Sequence, residues 1–437
     1  MRVEPPFRRP VGFKLHRCIA LALGFILALI GLSGSLSVYR SALDLWLNPR
    51  LSVIAPPSAK ALSLDLVLQA VRAEHPQRRG SWTLELPSSQ DGTLTAWYEH
   101  PQETQGRFYA PLMVSVNPYT AEVLASRFWG ETAATRLLDL HTHLALGRFG
   151  WNCVGLMGTA LILLLISGLW LWWPGTAALG RAFAVRSDAG AGKLASDLHR
   201  LLGLAAALPL LALGFTGFNL SFPGLPQSLL GASDMGHDDA GPAIRSTAVP
   251  NDRAVGPEEA TLLARGPFSH AEVRRVTTPE GPTGAYRVSL RQPWEVSHRH
   301  PYTTVWVDQY SGQIREVRNP AHFGAGESAL TWLWPLHTGE AFGPSYKLLW
   351  FIAGLTPALL FMAGLFGWLV RRRLLRDVPV DFAPLKEDFR HLAGVARRIP
   401  KQGLRAADWA LSQALLAAKT LHRKYAQTAR NGGSRFK

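Results

Sequence analysis

Four histidines stand in repeated surroundings: Leu15-His16-Arg17, Leu140-His141-Thr142, Leu198-His199-Arg200 and Leu336-His337-Thr338. His16 and His199 are 183 residues apart, and His141 and His337 are 196 apart. The first spacing also superposes Gly31-Leu32-Ser33-Gly34 on Gly214-Phe215-Thr216-Gly217. The second superposes Gly147, Gly158 and Gly168 on Gly343, Gly354 and Gly364. A neutral imidazole is a good metal ligand, and imidazoles from facing helices can hold a haem iron from both sides. A lone histidine at a helix end commonly does no more than hydrogen-bond at an interface. Four in duplicated register point to ligation, because ionisable groups at membrane depth carry function by default. His143 complicates the set. Two positions beyond His141, it points about 200° away on a helix of 3.6 residues per turn, so a regular helix cannot offer both to one iron. His141 has a counterpart, whereas Gly339 stands opposite His143. His141 is therefore preferred as ligand, and His143 is read as facing substrate or a propionate.

These residues border four runs without charge, 18–39, 149–173, 201–222 and 348–370. Each reaches the roughly 20 residues of a spanning helix, and lipid permits no open backbone alternative. The first run follows Arg8, Arg9 and Lys14 as a signal peptide would, but no small-x-small cleavage site follows, so it reads as an anchor. The chain holds 437 residues, with 46 Lys+Arg against 31 Asp+Glu. Segments 1–17, 174–200 and 371–437 carry 25 of the basic and only 8 of the acidic residues. By the positive-inside rule these face the cytoplasm with both termini. The basic excess is thereby assigned to anionic membrane lipid, and a nucleic-acid partner is excluded. The reading is an α+β integral membrane protein with four transmembrane helices from a duplicated unit. Its domains are a basic N-terminus 1–17, helix 18–39, insert 40–140, helix 141–173, loop 174–200, helix 201–222, insert 223–336, helix 337–370 and a basic tail 371–437. Within the tail, 406–425 reads as an interfacial helix. His16 and His199 then lie at the cytoplasmic ends of their helices, and His141 and His337 at the opposite ends. A hydrocarbon layer of roughly 30 Å separates the two pairs, so each pair would hold its own haem. Propionates would lie near Arg17, Arg200 or Arg148.

The inserts read as two small α+β modules, each with one helix on an antiparallel sheet. In the first, a helix from Leu64 to near His75-Pro76 precedes strands at 82–86, 94–98, 112–116 and 123–124. In the second, a helix over 258–264 precedes strands at 273–277, 286–290, 303–307 and 314–317. Residues 231–256, rich in Gly, Asp, Ala and Pro, read as a loop. Only Cys18 and Cys153 are present, both in apolar runs, which excludes a disulfide scaffold, a four-cysteine zinc site and thioether-linked haem. His298-Arg299-His300 and His237-Asp238-Asp239 lack the spacing of a closed metal site. Gly190-Ala191-Gly192-Lys193 lacks the upstream glycine and following hydroxyl of a phosphate loop, and no dinucleotide fingerprint occurs.

Taken with Ser167-Gly168-Leu169-Trp170, Trp172-Trp173-Pro174 and Leu336-His337-Thr338-Gly339-Glu340-Ala341-Phe342-Gly343, the pattern resembles the PepSY-associated transmembrane-helix family over residues 14–373. That family includes inner-membrane reductases of ferric siderophores. The resemblance makes the inserts PepSY modules, with Val116-Asn117-Pro118-Tyr119-Thr120 and Val307-Asp308-Gln309-Tyr310-Ser311-Gly312 as their hairpins. Ala121 stands where a glycine is usual. The resemblance implies two b-type haems, the bacterial inner membrane and a role in iron uptake. A cytoplasmic reductase or quinol would supply electrons, and a ferric siderophore between the two modules would receive them, near Arg148, His143, Trp332 and Trp334. Two axial histidines favour electron relay over oxygen activation, and no catalytic acid, base or nucleophile is called for. Two rival readings are a non-enzymatic membrane protein whose modules bind a peptide, protease or partner, and a transporter. Halves of equal orientation and spans free of charge argue against the transporter.

Overall fold

The computed structural model describes residues 9–56, 60–176, 183–185, 190–232, 244–247 and 253–377. The tail helix expected at 406–425 and His237-Asp238-Asp239 lie outside them. Chain order runs α1 (Arg9–Ser37), α2 (Arg40–Leu47), α3 (Leu64–Glu74), β1 (Thr83–Glu85), β2 (Leu94–Tyr98), β3 (Leu112–Val116), β4 (Val123–Phe128), α4 (Ala133–His143) and α5 (Gly147–Trp172). Then come α6 (Ala191–Ser221), α7 (Gly224–Leu230), α8 (Pro257–Arg265), β5 (Glu272–Thr277), β6 (Ala285–Arg291), β7 (Thr303–Asp308), β8 (Ile314–Arg318), α9 (Ala325–Leu330), α10 (Leu333–Thr338) and α11 (Pro344–Arg371). The chain divides into two compact units, Met1–Trp173 with Leu202–Phe361, and Pro174–Leu201 with Met362–Lys437.

Helices α1, α5, α6 and α11 are long and apolar enough to cross a membrane. Helices α1 and α6 start nine and ten residues before the uncharged runs at 18–39 and 201–222 do. Long basic side chains such as Lys14 and Arg17 do not stop a helix, since their stems cover apolar surface while the charge reaches water. The spans expected at 141–173 and 337–370 are each broken. Leu144 and Ala145 adopt left-handed backbone (φ 53° and 56°), which ends α4 one residue past His143. Gly339 and Gly343 (φ 79° and 83°) do the same between α10 and α11. Both of these histidines therefore ride on short helices that the sequence merges with the spans.

In the first unit, backbone meets backbone at two glycine crossings. A methyl group at Gly31 of α1 would lie 2.6 Å from the Gly354 carbonyl of α11, and one at Gly158 of α5 would lie 2.7 Å from the Gly214 carbonyl of α6. Small residues let apolar helices approach this closely, where packing replaces the hydrophobic drive that lipid removes. Ser35 of α1 also donates to the Phe351 carbonyl of α11.

The inserts depart from the expected pair of modules. Their eight strands form one antiparallel sheet in the order β4-β3-β2-β1-β5-β6-β7-β8. Strand β1 pairs with β5 in the register Thr83↔Thr277, Leu84↔Val276 and Glu85↔Arg275. Two four-stranded sheets would each leave an inner edge with unpaired amides, and joining them satisfies both edges. The two inserts are thus joined edge to edge through β1 and β5. Alternation does the rest. Leu84, Ala96, Val114, Val276, Val288 and Val305, all at most 2% exposed, point to the face covered by α3 and α8. The two helices lock reciprocally, since Glu258 accepts from the Leu64 amide (2.9 Å) and Asp65 from the Glu258 amide (3.2 Å). Each carboxylate thereby sits at the positive end of the other helix.

The paired hairpin turns have matching bonds. The Ala121 amide donates to the Asn117 carbonyl, as the Gly312 amide does to that of Asp308. Both positions are left-handed, with φ 57° at Ala121 and 67° at Gly312.

Candidate functional site: two imidazoles face to face

His141 enters from α4, whose start is fixed by a capping box between Thr132 and Thr135. Its ring lies against α1, where Gly34 leaves the room: a methyl group there would be 2.5 Å from His141 Cε1. His141 Nδ1 bonds the Ile30 carbonyl at 2.9 Å. A carbonyl can only accept, so Nδ1 carries the proton and Nε2 keeps its lone pair.

His337 arrives from α10 in the same manner. It lies against Gly217 of α6, where a methyl group would stand 3.2 Å from Cε1. Its Nδ1 is 2.9 Å from Thr216 Oγ1, and that hydroxyl is 2.7 Å from the Ala212 carbonyl. The Thr216 proton goes to Ala212, so Oγ1 accepts from His337 Nδ1–H and Nε2 again keeps its lone pair. The His141 and His337 rings face one another with centroids 6.0 Å apart and planes inclined by 32°.

The other two histidines show the same local plan, each within its own unit. His16 lies against Gly168, with 3.4 Å between Cε1 and a methyl group placed there. Its Nδ1 is 2.9 Å from Ser167 Oγ, which also donates to the Leu164 carbonyl. In the second unit His199 lies against Gly364 at 3.3 Å. Two positions before it, Asp197 is 1% exposed, paired with Lys193 and, at 3.2 Å, with Arg200. Arg200 also donates to the Ala184 carbonyl at 2.8 Å.

Eight of the ten superposed glycines thus divide by use. Gly31, Gly158, Gly214 and Gly354 bring helices together, whereas Gly34, Gly168, Gly217 and Gly364 each seat a histidine. The clue was present as a hydroxyl residue before three of the seating glycines, Ser33, Ser167 and Thr216. The sequence reading passed over it.

His143 turns elsewhere. Its Nε2 is 3.2 Å from Asp139 Oδ1, which also accepts from Trp129 Nε1 at 2.8 Å. Its ring meets Phe108 edge-on, with 5.3 Å between centroids. Arg148 is exposed and stacks over the same Phe108 at 4.9 Å, and Arg17 is half-buried in α1. Trp334 packs edge-on against His300 at 4.7 Å, while Trp332 lines a cavity of about 220 Å³ with Trp294, Tyr302 and Phe323.

Two Nε2 atoms without a proton, on rings with centres 6.0 Å apart, suit a particular kind of guest. A metal–imidazole bond is about 2 Å and a ring nitrogen lies about 1 Å from its ring centre, so two imidazoles on one metal put their centres about 6 Å apart. Among the described residues no group of three or more His, Cys, Asp and Glu side chains gathers to enclose a bare ion. Two axial ligands suffice where a planar tetrapyrrole supplies the other four, and Gly34 and Gly217 keep the ring surroundings free of side chains. The residues present therefore fit a haem. No curated protein matches the chain. The sequence pattern of the PepSY-associated TM region covers residues 13–371, and the chain belongs to that family.

Proposed function

We propose that the chain is a membrane oxidoreductase that passes single electrons to a ferric chelate in iron uptake. In this reading it is built from a duplicated unit and carries two PepSY-like modules. His141 and His337 hold one b-type haem, and the repeat gives His16 and His199 the same role for a second. Held by these imidazoles, a haem would supply one-electron redox chemistry. The protein's part is to fix the ligands. The Ile30 carbonyl and the Thr216 hydroxyl hold each Nδ1–H, which orients the ring and presents Nε2. A ferric chelate suits the role of acceptor because hard oxygen donors grip ferric iron, and adding one electron weakens the grip. A quinol or cytoplasmic reductase is the donor.

The observation that carries the reading is the 6.0 Å separation of the His141 and His337 rings, each with its Nδ1 engaged. Purified full-length protein from haem-supplied cells should show a Soret band that shifts on dithionite reduction. His141→Ala and His337→Ala should each remove about half of it. A colourless wild-type preparation would overturn the reading and favour modules that bind a peptide or partner.

A further inference from the structure

Beside the His141–His337 pair stand two cations without partners. Arg40 opens α2, six residues after the Gly34 that seats His141 and just past the turn that ends α1 at Ser37. Lys347 lies in the first turn of α11, packed against the end of α10: a methyl group at Gly339, two residues past His337, would be 3.2 Å from Lys347 Cα. Both cations rest on aromatic rings, Arg40 over Trp129 at 5.7 Å and Lys347 over Tyr39 at 5.3 Å. Among the described residues neither side chain has a hydrogen bond or ion pair. Glu340 lies within electrostatic reach of both and of His298, yet its Oε2 is buried with no partner. Glu85 is also within electrostatic reach of Arg40, yet neither carboxylate bonds either half-buried cation, so each has lost water without a hydrogen-bonded anion, a cost that proteins retain where a ligand makes it good. Arg148 differs, being exposed and stacked on Phe108.

We infer that Arg40 and Lys347 bind the two carboxylates of the tetrapyrrole at the His141–His337 site. This rests on the haem reading of that site. Two positive charges match two propionates, and Arg40 lies within electrostatic reach of Glu85 and Arg275 of the sheet, so the carboxylates would be held at the polar side of the site. A guanidinium can take a carboxylate with two hydrogen bonds, and an ammonium takes one as a point charge. The same chemistry would accept a carboxylate of a ferric chelate, so the test separates the two sources.

Full-length protein carrying His16→Ala and His199→Ala, prepared without haem, isolates this site for titration with haem and with haem dimethyl ester, whose carboxylates are masked. The parent should bind haem more tightly than the ester. Arg40→Gln or Lys347→Gln should each reduce that preference by about tenfold or more, the scale of a charge-assisted hydrogen bond. Arg40→Lys should restore part of it, and unchanged ester affinity shows that the variants are folded. An unaltered preference in both Gln variants overturns the inference. So does an unaltered preference with a raised KM for a carboxylate-bearing chelate, which would assign the cations to the acceptor. No Soret band with either porphyrin, or a band that survives His141→Ala, instead refutes the haem reading beneath it.

Discussion

At the scale of single residues, the clearances at the seating glycines rank the four histidines. A methyl group at Gly34 would be 2.5 Å from His141 Cε1, whereas one at Gly168 would be 3.4 Å from His16 Cε1. The first distance forces movement and the second is ordinary contact. Overpacking of this kind costs about 1–3 kcal/mol when surroundings can shift, and here a methyl group would also lie 2.7 Å from Nδ1, the atom that bonds the Ile30 carbonyl, so movement of the ring breaks that bond. Gly34→Ala should therefore rotate or expel His141 and remove one of two haem signals from the absorption spectrum. Gly168→Ala should leave the haem content unchanged. Equal loss from both variants would mean that the glycines serve helix packing and not the rings. The choice between His141 and His143 belongs to this scale too. Both sit on α4, and their opposite headings follow from its pitch; the ring that meets His337 is His141.

At the scale of elements, the two hairpin turns have similar backbones but different charges. The Asn117 side chain accepts the Tyr119 amide in the first turn. In the second, Asp308 accepts the Tyr310, Ser311 and Thr247 amides at 2.9–3.2 Å and the Arg315 guanidinium at 2.6 Å. Burial alone would raise the Asp308 pKa; the donors, the Ser311 amide and Arg315 foremost, outweigh it and hold the carboxyl well below its usual range. A carboxyl depressed on folding stabilises fully above its unfolded pKa of about 4, and that stability drains as pH falls toward the folded value. Acid should thus loosen the turn at Asp308 before the one at Asn117, read as hydrogen exchange along β7 and β8 against β3 and β4. Asp308→Asn should remove the pH dependence and cost about 2 kcal/mol at neutral pH, from the lost charge on Arg315. Strands β2 and β3 were legible to the residue because alternation and turn residues are local signals. The β1–β5 junction was not, since it pairs strands nearly 200 residues apart and nothing local in Thr83–Glu85 names its partner. The breaks at Leu144 and Ala145 were hidden for another reason. Leu144 and Ala145 are neither glycine nor proline, and the one local sign of the break is Gly147 (φ 60°), the counterpart of Gly343.

At the scale of the whole molecule, charge and site together fix what the protein can connect. The four spans were legible because lipid demands uninterrupted apolar length, and the structure returns four such helices. Orientation is a separate quantity, set by basic residues in short flanking segments. Segments 1–17, 174–200 and 371–437 hold 25 of 46 basic residues but 8 of 31 acidic ones, so the remainder is nearly neutral. If the positive-inside rule holds for this chain, that partition would put the eight-stranded sheet, with His141 and His337 on α4 and α10, on the side where basic residues are not retained. Reporter fusions give the direct check. Alkaline phosphatase, active only outside the cytoplasm, should be active when inserted in the turn after Ser89 and inactive when fused after Lys437. Substituting acidic residues for Arg371, Arg372, Arg373 and Arg376 should weaken the bias, because those four stand where the last span leaves the membrane. The reverse fusion pattern would place the sheet in the cytoplasm. An acceptor outside the cell membrane would then have no route to the His141–His337 pair, and electron delivery would have to run toward the cytoplasm.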